Sequence, residues 1–338
     1  MQDWQVRAAH AGDLDALLGL AALTGGGFTN LPHDRDALAA RIGWSEASYA
    51  ATIIDPEDEL YLLVLEHRPS GRIAGTSCLF SRVGVRWPFY SYKLTALSMQ
   101  SRELGRTFRT EVLHLVNDFD GASEVGGLFL HPDFRTGGLG RLLARSRYMF
   151  IAAHRERFGA RMLAELRGRI KADGSSDFWD GLAGRFFGMS FQEADHFNGI
   201  NGNQFIADLM PKFPVYVAML PEVARACLGE PHDAGRAAQK MLIGEGFGFN
   251  GYVDIFDGGP TMDTRTDLLR AVREAEPARV ALGHSEAPAS LVATRLVSCG
   301  RLSTFRCAAV PASQNAGCLL LPADSGFLKD DEVLHAPF

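Results

Sequence analysis

The chain lacks a C-x-x-C pair, and its five cysteines (Cys78, Cys227, Cys299, Cys307 and Cys318) are scattered and odd in number. That spacing offers neither a zinc site nor a disulfide framework, so no metal is expected and buried thiols in a cytoplasmic protein are. No apolar run approaches the roughly 20 residues of a membrane-spanning helix. The opening MQDWQVRAAHAGDLDALL lacks the basic start and apolar core of a secretory signal. An excess of basic charge is missing too. The net charge is −6 with both signs interspersed, which leaves no footprint for DNA or RNA. No G-x-x-x-x-G-K-[ST] occurs, and no dinucleotide fingerprint stands at the right spacing after a strand. What is present is 338 residues, 46% hydrophobic and 22% charged. This is ordinary globular composition, long enough for two domains or for one with a large elaboration.

The most informative stretch is Leu128 to Leu143, LFLHPDFRTGGLGRLL. It reads as an apolar strand, a Pro turn, a glycine-rich loop and then a helix. Its Arg135-Thr136-Gly137-Gly138-Leu139-Gly140 has the form R-x-x-G-x-G. Glycines let a backbone approach a ligand closely, and a helix start points N–H groups and its positive dipole end at the loop. Such a unit holds a pyrophosphate; the alternative is a glycine-rich turn that only caps a helix. The unit resembles that of the GNAT acyltransferase superfamily, whose members hold the pyrophosphate of an acyl-CoA there.

Along the chain, Gln5–Arg7 reads as a short strand and Leu14, Leu17, Leu18 and Ala21 fall at helical spacing. Leu60–Glu66 and Arg72–Phe80 form a hairpin about Arg68-Pro69-Ser70-Gly71. Gly84–Tyr92 is polar and aromatic, with Pro88 arguing against a central strand. Strand Val125–Leu130 precedes the loop; a helix from Leu139 to about Phe158 follows, and Arg161–Leu166 is a further strand. Phe178–Phe187 is a short helix ending at Gly188. Three prolines in Pro211–Pro221 mark a junction. Beyond it, Val215–Leu220 and Tyr252–Phe256 read as strands, Ala237–Leu242 as a helix, and the tail as short strands such as Ser290–Ala293 and Cys318–Leu321. The expected architecture is α/β (α+β). A GNAT-like domain with a mixed, mostly antiparallel sheet occupies residues 1–210, and a second α+β segment, residues 211–338, completes the active site.

Longer stretches resemble the arginine N-succinyltransferase family. They include Gly27-Phe28-Thr29, Pro88-Phe89-Tyr90-Ser91-Tyr92, Ala164-Glu165-Leu166-Arg167-Gly168, Phe186-Phe187-Gly188-Met189, Phe205 to Pro211, and Gly251 to Pro260, GYVDIFDGGP. The resemblance implies transfer of a succinyl group from succinyl-CoA, a substrate and not a resident cofactor, to the α-amino group of L-arginine. It also implies a homo-oligomer or pairing with a paralogous subunit. The chain departs from the family at Val125-Gly126 after Glu124, at Met99-Gln100, at Gly235 and Ala237 beside His232, and over most of the tail. Those departures leave open ornithine or another amine as acceptor, or a non-catalytic acyl-CoA-binding partner of an active paralogue.

By the same resemblance, a backbone N–H of the strand carrying Val125, Leu128 and Leu130 polarises the thioester carbonyl, while Arg135, Gly138 and Gly140 hold the pyrophosphate. His232 is the implied proton donor, suited by a pKa near neutrality; the alternative is a loop histidine with no role. Glu165 and Arg167 stand two apart and so face one side of a strand. Glu165 could serve as base or bind the guanidinium, and Arg167 could pair with the succinyl carboxylate; alternatively the two form a structural ion pair. Tyr90, Ser91 and Tyr92 line the acceptor pocket or form an aromatic packing cluster.

Overall fold

The computed structural model describes residues 1, 3–24, 29–201, 204–211, 213–283, 292–315 and 318–338. In chain order its strands are β1 (Trp4–Ala8), β2 (Leu60–His67), β3 (Arg72–Phe80), β4 (Ser91–Ser101), β5 (Arg106–Val116), β6 (Ser123–Leu130), β7 (Arg161–Glu165) and β8 (Val215–Tyr216). Then come β9 (Gly248–Val253), β10 (Pro260–Arg265), β11 (Glu276–Leu282), β12 (Ala293–Cys299), β13 (Arg306–Asn315), β14 (Cys318–Leu321) and β15 (Glu332–Pro337). The principal helices are α1 (Leu14–Ala22), α2 (Arg35–Ala50) and α3 (Leu139–Ala153). The described residues form two compact units that interleave along the chain. The first holds residues 1–82, 123–160 and 265–338, and the second 83–122 and 161–264. The boundary expected at residue 210 falls inside the second unit.

In the first unit, β1, β2, β3 and β6 pair antiparallel in that order. β2 is buried along both faces. Leu60, Leu62 and Val64 join Leu17 and Leu20 of α1 and Leu38 and Ile42 of α2 in one core. On the alternate residues, Tyr61 packs against Phe150 of α3, with ring centroids 5.0 Å apart. β2 thus reads as a continuous apolar run because helices cover both faces. The tail closes into a ring: β12 pairs with β15, β15 with β11, β11 with β14, β14 with β13, and β13 with β12. Only β11–β14 of these runs parallel. This five-stranded barrel encloses Val280, Val297, Val310, Leu319, Leu321, Phe327 and Val333, and β13 joins it to β1.

In the second unit the strand order is β7-β10-β9-β4-β5-β8. β4 and β5 form a long antiparallel ribbon, paired from Ser91↔Val116 to Ser101↔Arg106. Tyr92, Leu113, Phe178, Trp179, Val253 and Ile255 share its core.

Several expected elements change in extent. The helix after the loop ends at Ala153, and a 3₁₀ turn (Arg155–Arg157) follows, so the expected end at Phe158 is too late. Phe178–Phe187 is two short helices, Asp177–Gly181 and Gly184–Phe187, ending as expected at Gly188. Only Val215–Tyr216 of the Val215–Leu220 run is strand, since a 3₁₀ turn takes Val217–Met219. The Tyr252–Phe256 strand lies earlier, at Gly248–Val253, because Asp254 Oδ1 accepts the Phe256 and Asp257 N–H groups and turns the chain. Gly27, Phe28, Ser290 and Leu291 lie outside the described residues.

Candidate active site

The strand–loop–helix expected to hold acyl-CoA lies wholly in the first unit. The β3–β6 register shifts between Thr76↔Phe129 and Cys78↔Gly126, so β6 carries one extra residue there. Gly127 in that bulge has φ 58°. A bulge frees backbone from the ladder and re-aims it, and such features cluster beside active sites. Val125 is buried, Leu128 half-buried and Leu130 buried, so these three offer their backbone more than their side chains. After β6, Arg135 is exposed and donates from Nε to the carbonyl of Leu130 at 3.1 Å, which ties the loop to the strand end. Gly138 caps α3 in the left-handed conformation, φ 82°, ψ 4°, with no side-chain cap and no acidic residue in the first turn. Its chemistry suits an anion: N–H groups are left for a ligand, and no carboxylate competes for them. Gly140 follows in the first turn. α3 itself is buried almost all round, because the β2–β3 side and the barrel strands β12, β13 and β15 both contact it.

The second unit holds the other named residues. Glu165 and Arg167 are both exposed and alternate with buried Leu166 and Gly168, as strand period requires. The segment runs on past β7: Gly168 bridges Pro231, and the carbonyl of Arg167 accepts the backbone N–H of His232 at 2.8 Å. This brings Arg167 and His232 together although 65 residues separate them in number (232 − 167). His232 caps the 3₁₀ turn Asp233–Gly235, and its Nδ1 accepts the N–H of Ala234 at 3.2 Å. In the neutral imidazole that bond places the proton on Nε2. A cavity of about 360 Å³ opens beside the ring, lined by Arg169, Ile170, His232 and Asp233. Arg169 pairs with Glu230 at 3.3 Å. Arg236 reaches Asp233 at 3.0 Å and holds that carboxyl below its usual range.

Tyr90, Ser91 and Tyr92 sit at the start of β4. Tyr92 is 2% exposed, packs edge-on to Phe178 at 6.0 Å, and burial pushes its hydroxyl well up. Tyr90 packs against the same core, while Ser91 is fully buried. Tyr90 and Tyr92 therefore take part in the aromatic packing cluster.

Sequence reasoning passed over three carboxyls, two of them buried (Glu124 and Asp257) and one half-buried (Asp254). Glu124, next to Val125, is pushed up to about 7 by burial, with the Arg41 charge opposing. Asp254 and Asp257 are pushed up together, first by burial and, for Asp254, then by its neighbour. Their signal was present in E-V-G-G and in D-I-F-D-G-G, where carboxylates interrupt apolar or glycine-rich runs. No cluster of three metal-ligand side chains occurs among the described residues, and no helix among them is long and apolar enough to cross a membrane.

Comparison with known proteins bears on these groups. The profile of the arginine N-succinyltransferase beta subunit family matches residues 4–271. The arginine N-succinyltransferase subunit beta of Pseudomonas aeruginosa is 39% identical over 316 residues, covering 94% of this chain and 92% of that protein. The arginine N-succinyltransferase of an Enterobacter species (strain 638) is 42% identical over 291 residues, covering 85% and 84%. Among solved structures, arginine/ornithine succinyltransferase subunit AI from Pseudomonas aeruginosa superposes with a TM-score of 0.87 at 30% identity, covering 99% of this chain and 98% of that one. The chain is an acyltransferase and belongs to the arginine N-succinyltransferase beta subunit family.

Proposed function

We propose that the protein transfers the succinyl group of succinyl-CoA to the α-amino group of L-arginine. The observation that carries this reading is the bulged strand β6 running into the Gly138-capped start of α3, in a chain of this family. In the reaction the amine nitrogen bonds to the thioester carbon, the carbon–sulfur bond breaks, and the amine proton leaves. The first unit supplies the acyl-CoA side. The loop with Arg135, Gly138 and Gly140 holds the pyrophosphate, and a backbone N–H of the β6 bulge polarises the carbonyl. Preorganised donors of that kind are usually the largest catalytic contribution.

The second unit supplies proton chemistry and recognition. His232 protonates the departing thiolate from its imidazolium form and is left as the neutral imidazole. Glu165 accepts the amine proton or binds the guanidinium, and Arg167 pairs with the succinyl carboxylate. Tyr90 and Ser91 border the acceptor. A second reading adds ornithine as an acceptor, because the structure with a TM-score of 0.87 is of an arginine/ornithine succinyltransferase subunit. The relatives' names speak of subunits, and we read this chain as a homo-oligomer or as paired with a paralogous subunit. The cytoplasm is its proposed setting, supported by five unpaired cysteines, four of them buried.

The purified chain, given succinyl-CoA and a panel of amino acids, tests the proposal through CoA release read with a thiol reagent. Release with arginine is expected. Release only with ornithine or another amine moves the acceptor, and binding of CoA without turnover makes the chain a partner subunit.

A further inference from the structure

The stretch GYVDIFDGGP ends in a turn whose two aspartates have no part in the reaction above, yet one of them bonds the backbone beside a residue that does. Asp257 is buried at 7% exposure. Its Oδ2 accepts the N–H of Gly168 at 2.7 Å and its Oδ1 that of Gly259 at 2.8 Å. Gly168 follows Arg167 directly and bridges Pro231, which precedes His232. A Cβ at Gly168 would stand 2.5 Å from the carbonyl oxygen of Asp257, so the segment is pressed onto this turn. The same turn takes the N–H of Gly229 on the carbonyl of Gly258 at 2.8 Å. The loop Gly229–His232 and the segment Arg167–Gly168 are therefore held from one point.

Asp254 stands behind that point. Its Oδ1 accepts two backbone N–H groups, from Phe256 at 2.7 Å and Asp257 at 2.8 Å. That acceptor shapes the turn from which Asp257 reaches Gly168.

We propose that Asp257 is a positioning residue for His232 and Arg167, and that Asp254 holds the turn carrying it through the two N–H groups its Oδ1 accepts. The inference rests on the roles given above to His232 and Arg167.

The test compares D257N, D254A, D254N and H232A in the full chain, reading kcat, CoA affinity and melting temperature. Asn at 257 offers one acceptor where two N–H groups need two. D257N should lower kcat about ten- to hundredfold, the loss expected for a hydrogen bond to a charged group, with CoA affinity within about twofold. D254A should lower kcat likewise, and D254N should restore it, because an amide keeps the Oδ1 acceptor for the Phe256 and Asp257 N–H groups. Wild-type kcat in D257N, or equal kcat in D254A and D254N, overturns the proposal. So does a loss of kcat, CoA affinity and melting temperature in step, which marks a residue that only holds the fold. If D257N does not fold, the D254A and D254N pair decides alone. Wild-type kcat in H232A is a different failure: it removes the catalytic assignment of His232 itself.

Discussion

On the proposed reading, the groups of the first unit that meet acyl-CoA are backbone atoms: the bulge at Gly127, the left-handed Gly138 and the first turn of α3. In the second unit they are side chains, Glu165, Arg167 and His232, carried on segments that the Asp257 turn holds together. Backbone donors need a particular conformation and little else, so their cost is met by glycine at the right positions. Side chains need their carriers placed, and that placement draws on residues distant in sequence. The two units should therefore fail in different ways when altered.

The largest effect is expected from Gly138→Val. At φ 82° a β-branched residue is strained and blocks close approach of the pyrophosphate. CoA affinity should fall about hundredfold or more, combining strain of roughly 1–3 kcal/mol with lost contacts. Calorimetric titration reads this directly, and unchanged affinity in a folded variant would remove the loop from the site.

The mirror test lies in the second unit. His232→Ala should lower kcat by about two orders of magnitude, the usual scale for a general acid. CoA affinity should stay within about twofold, because the proposed pyrophosphate contacts lie on the loop around Gly138. A drop in affinity as large as the drop in kcat would erase the division of labour.

Arg167→Ala should remove most of a preference for succinyl-CoA over acetyl-CoA, about ten- to hundredfold for a charge-assisted pair. The ratio of kcat/KM for the two donors measures it. Arg167 is exposed in the structure, which places the expected effect at the lower end of that range. A wild-type ratio in the variant would assign the carboxylate to another residue, Arg169 at the cavity being the next to test.

The smallest effect concerns stability and the first unit alone. His154 is buried, its Nδ1–H donating to the carbonyl of Phe150 at 2.9 Å and its Nε2 accepting the N–H of Leu302 at 3.0 Å. Burial lowers its pKa to about 4. A histidine depressed in the folded state contributes stability that is complete above its unfolded pKa, near 6.5, and is lost as pH falls toward 4. Between pH 7 and pH 5 the loss should be about 2 kcal/mol. Melting curves of wild type and His154→Gln at both pH values check this. Equal slopes for the two proteins would show that the acid sensitivity lies elsewhere.

Where the chain could be read from its sequence, a local rule was enough. The hairpin at Arg68–Gly71, the strand into R-x-x-G-x-G, and the end of a helix at Gly188 each depend on residues a few positions apart. Other elements gave no such reading. Helix α2 has Leu38, Ile42 and Tyr49 at helical spacing, but the stripe is diluted by buried Ser45 and Ser48. Those serines are buried because their hydroxyls accept N–H groups of β2, from Leu62 at 2.8 Å and Leu60 at 3.1 Å. The β4–β5 ribbon went unread because much of it is exposed on both faces, which blurs the alternation that marks a half-buried strand. The Asp254–Asp257 pair was hidden for the opposite reason, its carboxylates looking like ordinary turn residues until packing brought Gly168 against them.

Sequence by itself determined the family, the strand–loop–helix unit and the chemistry each named residue could perform, since motif spacing and residue type act over short distances. Only the tertiary structure decided that the units interleave, that the tail closes a five-stranded barrel through a parallel β11–β14 pairing, and that Arg167, His232 and Asp257 share one set of hydrogen bonds. Each of these is a pairing between segments far apart in the chain. Its free energy comes from burial and satisfied backbone groups on both partners, and no window of sequence contains both.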